Sequence, residues 1–150
     1  MKNMFDKKVT IAVINRINKL ENTTSPLWGK MQVDQMLAHC NVAYEKTYNT
    51  EFPKISGFKK FLLKLLIKPL VVNEKPYKKN GRTAPEFLIT NQRNFEVEKT
   101  RLIDYINQTQ ELGAANFENK ESHSFGKLSS KEWNNMFYKH LDHHLQQFGV

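Results

Sequence analysis

Three of the five histidines in this 150-residue chain lie in one short segment near its end. His140 and His144 are four residues apart, so on a helix both imidazoles lie on the same side, one turn from each other. Two imidazoles at that spacing can bind a single metal ion, as they do in the H-E-x-x-H helix of zinc proteases. Because no glutamate follows His140, that protease chemistry is not implied. The alternative interpretation is that His140 and His144 are partly buried core side chains and that His143 is solvated.

The helix that carries these histidines is predicted over residues 130–149. Ser129 and Glu132 have the spacing of a capping box, which satisfies the unpaired N–H groups at the start of a helix. Gly149 stands where helices favour glycine at their C-terminal end. Between these limits, apolar residues and two histidines recur at spacings of three and four, which defines one helical face. That face consists of Trp133, Met136, Phe137, His140, Leu141 and His144.

A third candidate ligand, His39, lies in the middle of another predicted helix. That helix runs from about residue 33 to residue 48, and His39 belongs to its apolar face. Since His39 and His140 both lie near the middle of their helices, packing of the two helices could bring them to a similar height. Adjacent helical residues point about a quarter-turn or more apart. Cys40 is therefore interpreted as a buried, inert thiol rather than a ligand.

Two further long helices complete the predicted architecture. Asp6 caps the first helix, and the third long helix runs from residue 95 to about residue 112, with Gly113 as its stop. Residues 86–90 are the one weak strand candidate. The pattern predicts a single all-α domain over residues 1–150, a four-helix bundle with one long crossover that carries an extra short helix.

The crossover contains the most apolar stretch of the chain, residues 57–70, which read GFKKFLLKLLIKPL. Lys60, Lys64 and Lys68 form a narrow stripe at spacing four, and nearly every other residue is apolar. This predicts a short helix that buries most of its circumference against the bundle or in a homodimer interface, and that Pro69 ends. The less favoured alternative is a cationic helix lying on a membrane surface.

The composition of 39% hydrophobic and 25% charged residues is typical of a soluble globular protein. The first residues lack the apolar run of a signal peptide, no apolar run could span a bilayer, and the single cysteine excludes an internal disulfide. Together these features favour a cytoplasmic protein without stable membrane insertion. The net charge is +8, but the basic residues are scattered, so nucleic-acid binding is not expected. The basic loop at residues 73–82 could receive an anionic group.

The chain resembles the DinB/YfiT-like superfamily of four-helix-bundle metalloenzymes, and in particular one bacterial branch of it. The resemblance lies in His39, the long crossover and the motif His140-x-x-His143-His144-x-x-Gln147. It implies a metal site formed by His39, His140 and His144, with His143 and Gln147 as neighbours. The arginine and glycine that often follow the paired histidines are replaced by leucine and glutamine at positions 145 and 146.

Three imidazoles leave positions on a divalent ion open, which is typical of a catalytic rather than a structural site. Zinc is the default ion, with nickel, copper or iron as alternatives. Such an ion could activate a thiol or water for transfer or hydrolysis on a small molecule, with a low-molecular-weight thiol as one candidate partner. The alternative is a non-catalytic bundle that binds a metal or ligand.

Several other side chains could support such a site. Gln147, Asp34 and Asp142 could hold the second ring nitrogen of a ligand histidine, although Asp142 is expected to be solvated or paired with a lysine. His123, in a second predicted loop, could line the site. Aromatic residues could form a pocket wall or belong to the core. They are Trp28, Tyr44, Trp133 and Tyr138.

Overall fold

The computed structural model describes residues 1–49, 52, 55 and 57–150, and most of these are helical. The helices are α1 (Lys7–Asn18), α2 (Val33–Tyr48), α3 (Gly57–Leu62), α4 (Lys68–Val72), α5 (Phe95–Phe117) and α6 (Ser130–Gln147). A π-helical turn (Leu63–Ile67) joins α3 to α4, and a 3-10 turn (Pro85–Phe87) follows in the crossover. Two antiparallel strands, β1 (Lys120–Ser122) and β2 (Gly126–Leu128), form a hairpin. Apart from this short hairpin, the prediction of an all-α fold is confirmed.

The ends of α1 and α6 are fixed by the residues that the sequence indicates. The Asp6 carboxylate accepts a hydrogen bond of 2.7 Å from the backbone N–H of Lys8. Ser129 and Glu132 form the expected reciprocal capping box at the start of α6. Gly149 has a φ of +76°, the left-handed conformation that terminates many helices. These caps set where α6 begins and ends, and its buried apolar face then sets the direction of its histidines.

The core lies between α1, α2, α5 and α6. Helix α5 packs against α1, α2 and α6, and α6 also packs against α1 and α2. Aromatic side chains fill the contact between α2 and α6, where the rings of Tyr44 and Phe137 stack at 4.8 Å. Trp133 stacks on Phe137 at 5.5 Å. This packing buries the inner face of α6, on which two histidines lie.

Three predictions about the type or the end of an element are wrong. Gly113 does not end the third long helix: it adopts φ +69° and ψ 168°, which kinks α5, and the helix then continues to Phe117. The weak strand candidate at residues 86–90 overlaps the 3-10 turn instead. The strands of the hairpin lie in the segment around His123 that was predicted to be a loop. They were missed because three-residue strands are too short to show alternation.

The crossover helix also differs from its prediction. No residue between Gly57 and Val72 is buried, so the helix does not bury most of its circumference against the bundle. The alternative, burial in a homodimer interface, stays a prediction. Pro69 does not end the helix but lies in the first turn of α4, where a missing N–H costs little. Within the described residues, no helix is both long and apolar enough to cross a bilayer.

Candidate metal centre

His39, His140 and His144 come together where α2 meets α6. One ring nitrogen from each lies within 4.8 Å of the other two, and His39 Nε2 is 2.8 Å from His140 Nε2. His39 and His144 are buried, whereas His140 is partly exposed. Three histidines from distant parts of the sequence are therefore close enough to bind one metal ion.

The orientation of His39 is fixed by the crossover. Its Nδ1 donates a hydrogen bond of 2.8 Å to the carbonyl oxygen of Phe87, at the end of the 3-10 turn. Since a carbonyl oxygen only accepts, the proton of His39 lies on Nδ1 and the Nε2 lone pair faces the other histidines. His140 Nε2 donates to His39 Nε2 in this arrangement, and metal binding requires His140 to carry its proton on Nδ1 instead.

The orientation of His144 is fixed through Gln147. The Gln147 amide nitrogen donates to the carbonyl oxygen of Trp28 at 2.8 Å, which determines the orientation of the side-chain amide. Gln147 Oε1 then accepts from His144 Nδ1 at 2.8 Å. The proton of His144 is thus held on Nδ1, and its Nε2 lone pair is available to a metal ion.

Gly29 makes the contact between Gln147 and Trp28 possible. A Cβ atom at position 29 would lie 2.8 Å from Gln147 Nε2, and the residue has a φ of +82°, which disfavours other side chains. The sequence analysis missed Gly29 and the two carbonyl groups that fix the imidazoles. The one available signal was the Trp28-Gly29 pair in a loop, because a backbone carbonyl leaves no mark in the sequence.

Burial keeps the three imidazoles neutral. Loss of solvent lowers the pKa of His144 to about 3. The same cause, reinforced by the neighbouring imidazoles, holds the pKa of His140 well below its ordinary value. Burial also lowers the pKa of His39, against the hydrogen bond to Phe87. Neutral imidazoles present lone pairs at neutral pH, which is the form that binds metal.

The donor set fits a divalent transition metal. Zinc–imidazole bonds are about 2.1 Å long, so two nitrogens sharing one ion lie at most about 4.2 Å apart. The observed spread of up to 4.8 Å is closed by side-chain shifts of less than an ångström. The cluster consists of nitrogen donors alone, which suits zinc, nickel, copper or iron rather than magnesium or calcium.

His143 lies beside the cluster and faces a cavity. The cavity has a volume of about 290 Å³, and the His143 ring contacts Trp28 and Tyr77 edge-on at 5.9 and 5.7 Å between ring centroids. Its centroid is 5.1 Å from that of His144. Trp28 is therefore a pocket residue, whereas Tyr44, Trp133 and Tyr138 belong to the core.

The remaining candidates have other partners. His123 is not a member of the cluster and lies in the β-hairpin, where its Nδ1 is 3.3 Å from Ser124 Oγ. Asp142, which was expected to be solvated or paired with a lysine, is partly exposed and forms an ion pair with Arg16, not with a lysine, at 2.7 Å. Asp34 accepts from the backbone N–H of Arg93 at 2.7 Å, which anchors the segment before α5. Cys40 is fully buried, and burial raises the pKa of its thiol.

Comparison with curated proteins found no match, and comparison with solved structures found none either. A family model covers almost the whole chain, and it includes all three clustered histidines. The family is described as protein of unknown function, DUF1569, and its model matches residues 5–149 of this chain. The chain belongs to this family.

Proposed function

We propose that this chain is a metal-dependent enzyme of the DinB/YfiT-like type that acts on a small molecule with a thiol or water as nucleophile. His39, His140 and His144 would hold the ion, with zinc as the first choice. The observation that carries the proposal is the convergence of three neutral imidazoles, two of which have their lone pairs directed by Phe87 and Gln147.

The helix packing is consistent with the four-helix bundle that this type implies. Helices α1, α2, α5 and α6 contact one another around one core, and a long crossover separates α2 from α5. Bundle proteins commonly build metal sites from side chains on facing helices. Here α2 supplies one ligand and α6 supplies two, one turn apart.

The chain supplies ligands without charge. When bound, a divalent ion acts as a Lewis acid that lowers the pKa of a thiol or a water molecule and so provides a nucleophile at neutral pH. Three neutral imidazoles leave the full positive charge of the ion in place, which favours binding of an anionic nucleophile. His140 is the one partly exposed member of the set, so we place the approach of substrate on its side.

We assign the part of the substrate remote from the reacting bond to the cavity beside His143, which His39, His140 and His144 do not line. Trp28 and Tyr77 provide aromatic surface, and Lys79 and Lys139 provide positive charge. The Lys79 ammonium lies 4.2 Å from the Trp28 ring centroid. The lining also includes the carboxylates of Glu74 and Asp142, so a small polar molecule with an apolar part matches it.

Metal analysis of matched variants tests the site. We expect the purified protein to contain one equivalent of metal, and His144→Ala and His39→Ala to lose it. His143→Ala is the matched control, because it removes a neighbouring imidazole on the same helix that is outside the cluster. Equal metal content in His144→Ala and the intact protein would remove the basis of the proposal.

Activity separates the enzyme from the alternative. We expect the metal-loaded protein to show thiol-transfer or hydrolase activity in substrate panels, His140→Ala to abolish it, and His143→Ala to raise KM. The alternative is a bundle whose metal or ligand binding is not catalytic. In that case chelation lowers the melting temperature, while no panel shows an activity that depends on the ligand histidines.

A further inference from the structure

The crossover helix has its apolar side facing outward. Seven large apolar side chains between positions 58 and 70 are exposed, from 37% for Leu62 to 74% for Phe58. This outer stripe consists of Phe58, Phe61, Leu62, Leu65, Leu66, Ile67 and Leu70. Surface apolar residues are normally scattered, so a contiguous set on one segment indicates an interaction surface.

Two of the four lysines of the same helix face the protein body, whereas Lys59 and Lys64 are exposed. Lys60 forms an ion pair of 2.8 Å with Glu121 in the β-hairpin. Lys68 forms one of 2.7 Å with Glu132 in the first turn of α6. Both ion pairs hold the helix with its charged side inward, so the outward position of the apolar side is built into the fold.

The apolar and basic residue types of the helix are arranged nearly symmetrically on either side of Lys64. The matching mirrored pairs are Leu63 with Leu65, Leu62 with Leu66, Phe61 with Ile67, Lys60 with Lys68, and Phe58 with Leu70, and the one mismatch is Lys59 with Pro69. Two copies packed antiparallel around a two-fold axis near this position would set apolar residues against apolar residues along the whole stripe. Lys64 is exposed and lies within the π-helical turn, so a regular spacing of four does not place it beside Lys60 and Lys68.

We propose that the outer stripe is the interface of a homodimer, in which the crossover helices of two copies pack antiparallel about position 64. From the exposed fractions of its side chains, the stripe offers roughly 700 Å² per copy, close to the ~800 Å² per partner of a standard stable interface. A second copy is the occupant whose pattern this self-complementary stripe matches.

The charge distribution favours a second copy over a membrane surface. A helix that lies on anionic lipid places its lysines beside the apolar face, where they reach the headgroups. Lys60 and Lys68 are instead paired with carboxylates of the body. Of the four lysines of the helix, this leaves Lys59 and Lys64 to face an anionic surface, so the uncharged stripe fits another uncharged stripe better.

Sedimentation equilibrium of the full chain tests the interface. We expect a dimer, and Leu66→Glu should raise its dissociation constant by roughly 100-fold or more, because a two-fold interface buries the new carboxylate twice. Ile11→Glu is the matched control, since Ile11 is an exposed apolar residue on α1 and its replacement should leave the dimer intact. Circular dichroism should show equal helix content in both variants, because neither side chain is buried.

Cross-linking tests the antiparallel register. Leu62→Cys and Leu66→Cys are made separately, mixed in equal amounts and oxidised with diamide; the native Cys40 is buried and does not compete. Position 62 faces position 66 of the partner, so the mixed disulfide should exceed either symmetric one. A chain that stays monomeric at every concentration would overturn the proposal. So would a monomer that binds phosphatidylglycerol vesicles through the same leucines.

Discussion

The side chain of Gln147 shows how single residues prepare the candidate metal centre. It connects the Trp28 carbonyl to the imidazole of His144 through two hydrogen bonds of 2.8 Å. Because the Trp28 carbonyl only accepts, Gln147 must donate to it and must accept from His144 Nδ1. The lone pair of His144 is therefore on Nε2. The position of a proton on one histidine thus depends on a loop more than a hundred residues away.

Replacing Gln147 should weaken metal binding without removing a ligand. Gln147→Leu keeps the size of the side chain but leaves His144 Nδ1 without its acceptor, so we expect metal affinity to fall by roughly 10–100-fold. Competition with a chromophoric chelator measures this change. Gln146→Leu is the control, since Gln146 bonds to Asp142 on the exposed side of α6. An unchanged affinity in Gln147→Leu would mean that the hydrogen bond to His144 does not prepare the site.

Acid should destabilise the metal-free protein in a pH window set by the histidines. In the unfolded chain a histidine takes up a proton near pH 6.5, whereas burial lowers the pKa of His39, His140 and His144 in the folded state. The unfolded state therefore binds more protons below about pH 6.5, and the free energy of unfolding should fall by up to about 1.4 kcal/mol per pH unit for each histidine.

Urea unfolding of chelator-treated protein between about pH 7 and about pH 5 measures this loss, in a range above the titration of carboxylates. His140→Ala removes one of the three groups and should reduce the slope. A free energy of unfolding that is constant across this range would contradict the burial of neutral imidazoles.

At the level of single residues, the sequence and its family resemblance were sufficient to select His39, His140 and His144 as candidates, and the fold brings them together. The resemblance also singled out Gln147. The Phe87 and Trp28 carbonyls and Gly29 were not predictable, because their contribution depends on backbone position. The orientation of a backbone carbonyl is decided by tertiary packing and not by residue type.

Among the elements, the kink in α5 shows that a sequence can predict an interruption of a helix without predicting where the helix ends. Glycine does interrupt the regular helix at position 113, as predicted, but the chain re-enters a helix and places Phe117 in the core. Local propensity identifies the break. It does not decide whether the following residues gain enough from packing to form another helical turn.

Gly113→Ala should destabilise the protein. At φ +69° and ψ 168° a side chain is strained although a Cβ atom would meet no other atom within 4 Å, so we expect a loss of about 1–3 kcal/mol in the free energy of unfolding. Urea denaturation measures it. In an uninterrupted helix the same change would instead stabilise by about 1 kcal/mol. The sign of the measured change therefore shows whether position 113 is a kink with a positive φ.

The crossover helix marks the limit of reading amphipathicity from sequence. Apolar side chains with a lysine at every fourth position predict a helix correctly, but they do not state which side faces the body. Here two carboxylates, Glu121 and Glu132, bind the lysines and reverse the usual orientation. Neither carboxylate is close to the helix in sequence, so the reversal could not be predicted.

At the scale of the whole molecule, the crossover is attached to the bundle by a buried lysine. Lys139, on α6, donates hydrogen bonds to the carbonyls of Leu70 and Asn73 and to the Asn73 side chain, at 2.8 to 2.9 Å. Since Lys139 precedes the candidate ligand His140, the same turn of α6 carries both the attachment of the crossover and part of the candidate metal centre.

Lys139→Met should loosen this attachment while it preserves the volume of the side chain. The two carbonyls lose their donor, so we expect faster hydrogen exchange at the amides of α4 and lower stability, by about 1–3 kcal/mol. Lys131→Met is the matched control, because its ion pair with Glu74 is exposed and contributes little. Equal exchange in both variants would show that Lys139 does not hold the crossover.

The order of the long helices and the membership of one core were predictable because amphipathic periods and caps are local signals. The pairing of helices that sets His39 beside His140 rests on contacts between distant residues. The mid-helix positions of the two histidines allowed it, and the family resemblance indicated it.

The central claim is that the contacts between α2 and α6 build a metal site. Anomalous diffraction from crystals, recorded above and below the zinc absorption edge, tests it most directly. We predict one peak between His39, His140 and His144, lost in His144→Ala. Crystals grown with zinc that show no peak there, or a peak elsewhere on the molecule, would contradict it.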